Sequence, residues 1–350
     1  MRSQFTLFFG IFSVMALSNA IVPVLPAFSG QSSFQGAIYS AYFLGAFIST
    51  LPAGILSDRY GRIPLMRLGL AITVASGLFL SVTHSTAPVL ALRLLEGIGA
   101  GIFVASAMSC VNSSEDHGMM SGYFVALLNA GLVLGLICSG WLAGFLHDPS
   151  AGILLFAVLS LIPALMVFLM QESPLNAKIR DTNDLFALIR DQRWLWYSSI
   201  ILVGITGVVS SLYPKFSGAS PDILGYWIAG MSVATIVSVL TVSRISFPQI
   251  TSIRWSAFLM AAGVILTYYS PAGFLVLGAL AGVVMLAQMA VLANLKDHQG
   301  IAMGLFSTTG YLGMALLPFL AGIVADSAGF FIAFIATALC AITVAATIGR

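Results

Sequence analysis

The chain has 350 residues, 59% of them hydrophobic and 7% charged, with a mean hydropathy of +1.03. Its 14 basic and 12 acidic residues leave a net charge of +2. That is far below the roughly 25% of charged residues that coats a soluble domain, which excludes a soluble enzyme, a disordered chain and a nucleic-acid binder, the last needing a basic excess. The composition leaves a polytopic membrane protein, and apolar runs of helix length make it all-α.

A membrane-crossing helix needs about 20 largely apolar residues. Twelve such runs follow one another, at about 5–25, 34–56, 64–83, 88–110, 119–146, 151–170, 194–213, 223–243, 253–270, 273–294, 300–325 and 329–348. The period-2 alternation of a membrane barrel is absent. The first run resembles a signal peptide, with Arg2, an apolar stretch and Ser18-Asn19-Ala20. It continues through Val22-Pro23-Val24-Leu25 without a polar break, so it is read as a retained helix.

Basic residues set the expected orientation. With the N-terminus inside, Arg2, Arg59, Arg62, Arg67, Lys178, Arg180, Arg190, Arg193, Arg244, Arg254, Lys296 and Arg350 are cytoplasmic, 12 of the 14. Lys215 falls outside, and Arg93 lies within a helix. Both termini are therefore expected in the cytoplasm. The short loops and the lack of a long extracellular domain suit a prokaryotic inner (cell) membrane.

The longest polar stretch, about 171–193, divides a six-helix unit at 1–170 from another at 194–350. Leu185, Ile189 and their charged neighbours could form a surface-lying amphipathic helix there, although a plain linker is the preferred reading. Internal repetition supports two units. Gly122 and Gly131 match Gly304 and Gly313 at an offset of 182, whereas Gly144 and Asp148 match Gly322 and Asp326 at 178, which requires a four-residue gap.

Chemistry-bearing residues are few. Cys110, Cys138 and Cys340 lie in apolar stretches, His84, His117, His147 and His298 are scattered, and no catalytic or phosphate-cradling motif occurs. No enzyme activity, metal or cofactor is expected. Gly54-Ile-Leu-Ser-Asp58-Arg59-Tyr-Gly61-Arg62 is read as the loop joining helices 2 and 3, with Gly54 and Gly61 allowing a tight turn and close backbone approach. Asp58 could pair with Arg59, Arg62 or Arg67, or sit at a helix N-terminus. Arg93 and Glu96 are the one strongly charged pair well inside a helix. Translocon scales place such residues at about 2.5–3.5 kcal/mol each near a bilayer centre, so they should face a polar cavity or one another. Their i, i+3 spacing permits the latter, and Gly97 and Gly101 permit close helix packing. Asn19, Tyr39, Tyr42, Asn129, Gln288 and Tyr311 are uncharged polar residues in apolar helices, each alone readable as interhelical glue.

GILSDRYGR resembles the signature of the major facilitator superfamily. Arg93-Leu-Leu-Glu96-Gly97-Ile-Gly99-Ala-Gly101 resembles that family's RxxQGxGAA pattern, and IVPVLP (21–26) with the Gly131/Gly135 pair resembles its drug:proton antiporter-like branch. The resemblance implies a twelve-helix major facilitator fold of two six-helix bundles and a secondary transporter working by alternating access. It implies that Gly54, Asp58, Arg59, Gly61 and Arg62 form a cytoplasmic gate, with Asp58 latching against the start of helix 11. It also implies that Arg93 and Glu96 serve substrate binding or proton coupling, and that Asn19, Tyr39, Asn129 and Gln288 lie on cavity-lining helices. Two departures stand out. Leu136 replaces the branch's proline on helix 5, while Pro318 is kept on helix 11, and SRISFPQITSIR (243–254) lacks the acid of a second signature, leaving Arg244 or Arg254 to serve any latch there.

The expected function is proton-gradient-driven export of a small amphipathic or apolar compound by a monomer in the lipid bilayer. Uptake or facilitated passage of a small polar metabolite is the alternative. A non-transporting sensor or assembly factor on a transporter fold is the rival of another class, disfavoured by the shortness of both tails.

Overall fold

The computed structural model describes residues 2–83, 85–112, 117–170, 189–245, 247–293 and 299–349. Twelve helices long and apolar enough to cross a membrane occur among them, and no strand does. They are α1 (Arg2–Ala20), α2 (Ser32–Tyr60), α3 (Arg62–Ser81), α4 (Thr86–Asn112), α5 (His117–Leu146) and α6 (Ala151–Met166), then α7 (Arg193–Ser217), α8 (Pro221–Val242), α9 (Gln249–Tyr269), α10 (Ala272–Ala293), α11 (Gln299–Ala328) and α12 (Phe330–Thr347). All twelve expected spans are present, most of them longer than their apolar runs. The first is not one uninterrupted α-helix. Pro23 has no N–H to give to an α-helical bond, and α1 is followed by a 3-10 turn at Val22–Val24 and a single helical turn at Leu25–Phe28. The linker segment 171–188, with the suggested amphipathic helix, lies outside the described residues.

Two compact units emerge. One comprises Met1–Ser29, Ala41–Ile179 and Gly218–Ala229, the other Gly30–Ser40, Arg180–Ser217 and Gly230–Arg350. The continuous helix α2 thus starts in the second unit and ends in the first, and α8 starts in the first and ends in the second. In the first unit α1 is packed inside, with Ile11, Val14, Ala16 and Leu17 buried. Met66, Leu70, Phe103 and Phe124 complete a core with Ile11 and Val14.

The internal repeat reappears as backbone contacts. In the first unit, side chains at Gly131 and Gly97 would overlap the carbonyls of Phe12 and Tyr42. In the second, Gly313 and Gly278 stand in the same way against Ile200 and Met231. Where helices associate without a hydrophobic drive, such small residues let backbones approach. The repeat register differs from the sequence reading in one respect. Helices α5 and α11 are both 30 residues long and keep the 182 offset to their ends, so no gap falls inside them. Asp148 therefore lies beyond α5, accepting a hydrogen bond from the Ser150 N–H at 2.8 Å, whereas Asp326 is within α11.

Two arginines close the C-terminal ends of α6 and α12. Arg67 donates to the carbonyls of Val167, Phe168 and Met170 at 3.4, 3.3 and 3.2 Å, and Arg254 donates to Ile348 at 2.8 Å. Each satisfies carbonyls that a helix C-terminus leaves without intrahelical partners. Arg254, one of the two basic residues left for a second latch, is thus engaged with the end of α12, and Arg244 is exposed.

Candidate translocation and gating site

The charged pair is built on the α2–α4 contact. Gly97 lets α4 lie directly on the Tyr42 carbonyl, and Gly45 lets α2 lie on the Leu94 carbonyl, so the two helices touch backbone to backbone on either side of Glu96. Arg93 and Glu96 then have little room to turn outward. Arg93 Nη1 donates to Glu96 Oε2 at 2.8 Å, and the side chains are only 1% and 0% exposed. Arg93 Nη2 donates to the Ser18 carbonyl of α1 at 3.2 Å, and the guanidinium carbon lies 4.7 Å from the centre of the Tyr42 ring. Of the two arrangements open to the pair, this is the one in which the charges face each other. A desolvated guanidinium over an aromatic ring gains about 2 kcal/mol. Glu96 Oε1 is buried and has no hydrogen-bond partner among the described residues. One oxygen of the carboxyl group is thus held, and the other is available to a proton or a hydrogen-bond donor.

The remaining candidates divide between the units. Asn19 joins the first cluster through its neighbour, its amide donating to Ser18 Oγ at 3.3 Å and to the Met15 carbonyl at 3.4 Å. Asn129 is half-buried and donates to Val125 of its own helix at 2.8 Å. In the second unit, Tyr39 donates to the Met314 sulfur at 3.9 Å, and a Cβ added to Gly207 would meet its ring edge at 3.1 Å. Gln288 is 0% exposed and donates to Ser198 Oγ at 2.9 Å, beside the Thr309–Ser199 hydroxyl pair at 3.2 Å, and its Oε1 has no partner among the described residues. Tyr42 was visible in the sequence only as one more polar aromatic, and Ser198 and Ser199 carried no signal, since serine also occurs throughout ordinary membrane helices.

The signature stretch is not a loop. Helix α2 runs on through Asp58 and Arg59 to Tyr60, and α3 begins at Arg62, so the connection is Gly61 alone. Its φ of 101° and ψ of 151° belong to a region essentially confined to glycine. Gly54 is different. It lies within the helix, and a Cβ there would meet nothing within 4 Å, so it provides neither a turn nor a close approach. Arg59 is exposed, its guanidinium 5.4 Å from the Tyr60 ring, and Arg62 is half-buried. The Asp58 side chain lies outside the described residues. Gly61→Ala is expected to destabilise the protein by about 1–3 kcal/mol through backbone strain, read as a lower midpoint in thermal unfolding of the detergent-solubilised protein.

The profile of the Major Facilitator Superfamily matches residues 7–296. The chain belongs to that superfamily. Membership carries with it an integral multi-pass membrane protein whose activity is transport. Multidrug resistance protein 2 of Bacillus subtilis (strain 168) is 25% identical over 344 residues, covering 87% of this chain and 84% of that protein. The quinolone resistance protein NorA of Staphylococcus aureus (strain MRSA252) is 26% identical over 153 residues, covering 42% of this chain and 39% of NorA. Among solved structures, a bacterial homologue of the human lysosomal transporter Spinster superposes with a TM-score of 0.79 at 15% identity, covering 99% of this chain and 95% of that one. A D-xylose–proton symporter gives 0.77 at 14%, covering 100% and 97%. These similarities are to the major facilitator fold.

Proposed function

We propose that this major facilitator protein is a secondary active transporter that exports a small amphipathic or apolar compound by alternating access, driven by a proton gradient. The observation that carries the reading is the Glu96 carboxyl group. Arg93 and Glu96 are the only charged side chains classed as buried among the described residues. Burial of an ionisable group at membrane depth marks a functional site by default. One carboxyl oxygen is engaged by Arg93 and the other is unpartnered. A proton arriving at Oε1 would weaken the pair and leave Arg93 held by the Ser18 carbonyl and the Tyr42 ring, coupling proton occupancy to the α1–α2–α4 contacts. The two drug-resistance relatives support export of amphipathic compounds.

The same reading takes 1–170 and 194–350 as the six-helix repeats around the 171–193 linker, with both termini cytoplasmic in a prokaryotic cell membrane and the protein acting as a monomer. Asn19, Tyr39, Asn129 and Gln288 contribute polar contacts to substrate. Gly54, Asp58, Arg59, Gly61 and Arg62 form the cytoplasmic gate, with Asp58 as its acid. No cofactor beyond the gradient takes part.

In proteoliposomes loaded with an amphipathic fluorescent dye, an imposed pH gradient should drive transport. Glu96→Gln should lower the gradient-driven rate by about tenfold or more, because the only buried acid among the described residues no longer exchanges a proton. Transport indifferent to the gradient and unchanged in Glu96→Gln would overturn the proposal.

A further inference from the structure

The second unit contains a charged contact at the end of α2 opposite the signature. The Ser32 N–H donates to Asp326 Oδ1 at 2.9 Å and the Ser33 N–H donates to Oδ2 at 2.7 Å. A single carboxylate from α11 thus takes up two of the four N–H groups that a helix start leaves without partners. The residue preceding α2 is Gln31, outside the Ser, Thr, Asp and Asn set that usually caps a helix from within. Lys215, at the end of α7, donates to Asp326 Oδ1 at 3.4 Å and lies 6.0 Å from the Phe330 ring. Below this contact the backbones press together, because side chains at Gly36 and Gly322 would run into the carbonyls of Pro318 and Ser32.

The first unit contains the repeat counterpart, built differently. Gly140 and Gly225 stand against the carbonyls of Pro221 and Leu136, at the 182 offset for α5 and α11 and at 189 for α2 and α8. The position matching Asp326 is Gly144, and the position matching Ser33 is Asp222. The acid has therefore moved to the helix it serves. Asp222 lies in the first turn of α8 itself, and a Cβ on Gly144 would be 3.7 Å from its Oδ1. An acid within its own helix's first turn complements the dipole wherever that helix goes. An acid on a neighbouring helix does so only while the two helices touch.

We propose that Asp326, backed by Lys215, is a one-sided latch that holds the first turns of α2 to α11 and must release for those turns to part. The proposal rests on the alternating-access reading for its purpose, and on the geometry of Asp326 for its existence. Charge-assisted hydrogen bonds are about twice as strong as neutral ones, and both here break together, since Ser32 and Ser33 begin one rigid helix.

The test reads alkylation of a buried reporter and needs neither substrate nor gradient, so it stands apart from the transport assay. Ser40, 5% exposed on α2, is replaced by cysteine in a background in which Cys110, Cys138 and Cys340 are alanine. The full chain in lipid nanodiscs is then treated with N-ethylmaleimide. Asp326→Asn should raise the labelling rate of Ser40→Cys by about tenfold. Lys215→Gln should raise it less, Asp326→Glu should keep it near the parent, and Asp222→Asn should leave it unchanged. Labelling that is unchanged in Asp326→Asn and in Lys215→Gln would overturn the latch, and so would an equal rise in Asp222→Asn. Should Asp326→Asn fail to fold, Lys215→Gln against Asp222→Asn decides the matter by the same comparison.

Discussion

Replacing Arg93 by alanine is expected to destabilise the protein by about 3–5 kcal/mol, the range for removing one partner of a buried ion pair. The size of the effect comes from what stays behind. Glu96 is fully buried, its Oε2 bonds to Arg93, and its Oε1 has no partner among the described residues. Without the guanidinium the carboxylate would face the α2–α4 seam with neither oxygen engaged. Glu96→Gln is milder, because Arg93 still has the Ser18 carbonyl and the Tyr42 ring. Removing both charges, as in Arg93→Ala with Glu96→Gln, should recover much of the loss, since no uncompensated buried charge remains. Unfolding of the four proteins in detergent forms a double-mutant cycle, and the expected coupling is about 1.5–3 kcal/mol. Additive losses would mean that the pair does not act as a unit.

The second large effect is expected at Gly97. An alanine methyl there would occupy the place of the Tyr42 carbonyl, a backbone group that cannot rotate aside. Overpacking of this kind costs about 1–3 kcal/mol, and Gly97→Ala should lie at the upper end because it also spreads the seam that holds the ion pair. Gly278→Ala, against Met231 in the second unit, should behave alike. Gly54→Ala and Gly304→Ala are the controls. Nothing lies within 4 Å of either added methyl, and replacing an open helical glycine by alanine gains up to about 1 kcal/mol. Thermal midpoints should therefore fall for the first two substitutions and hold or rise for the second two. A uniform response across the four would show that backbone approach is not what Gly97 provides.

Much of the fold was legible because hydrocarbon imposes length and apolarity on any segment that crosses it, and these properties are additive along a sequence. Helix ends were less so. The polar residues Ser57, Asp58 and Arg59 resemble a loop, but the peptide bonds beneath them continue α2 to Tyr60, and only Gly61 has the φ that breaks it. The Arg93–Glu96 contact was readable from i, i+3 spacing, since both residues share one helix. Tyr42 and Ser18 were not, because which face of α1 or α2 meets α4 depends on packing between distant segments. Asp326 shows the same limit. Its sequence neighbourhood resembles that of Asp148, yet the matching places in the repeat are Asp326 and Gly144, fixed by where Gly140 and Gly322 touch their partners.

The partners named for Arg93 have a consequence for how the chain is made. Ser18 and Tyr42 belong to α1 and α2, which leave the ribosome before α4, and Glu96 follows three residues behind on the same helix. A carbonyl and an aromatic ring are therefore already in the bilayer when the arginine arrives, and its counter-charge emerges with it. These three contacts can thus all be in place once α4 is complete. At this residue the named partners all precede it in the order of synthesis or follow within one helical turn.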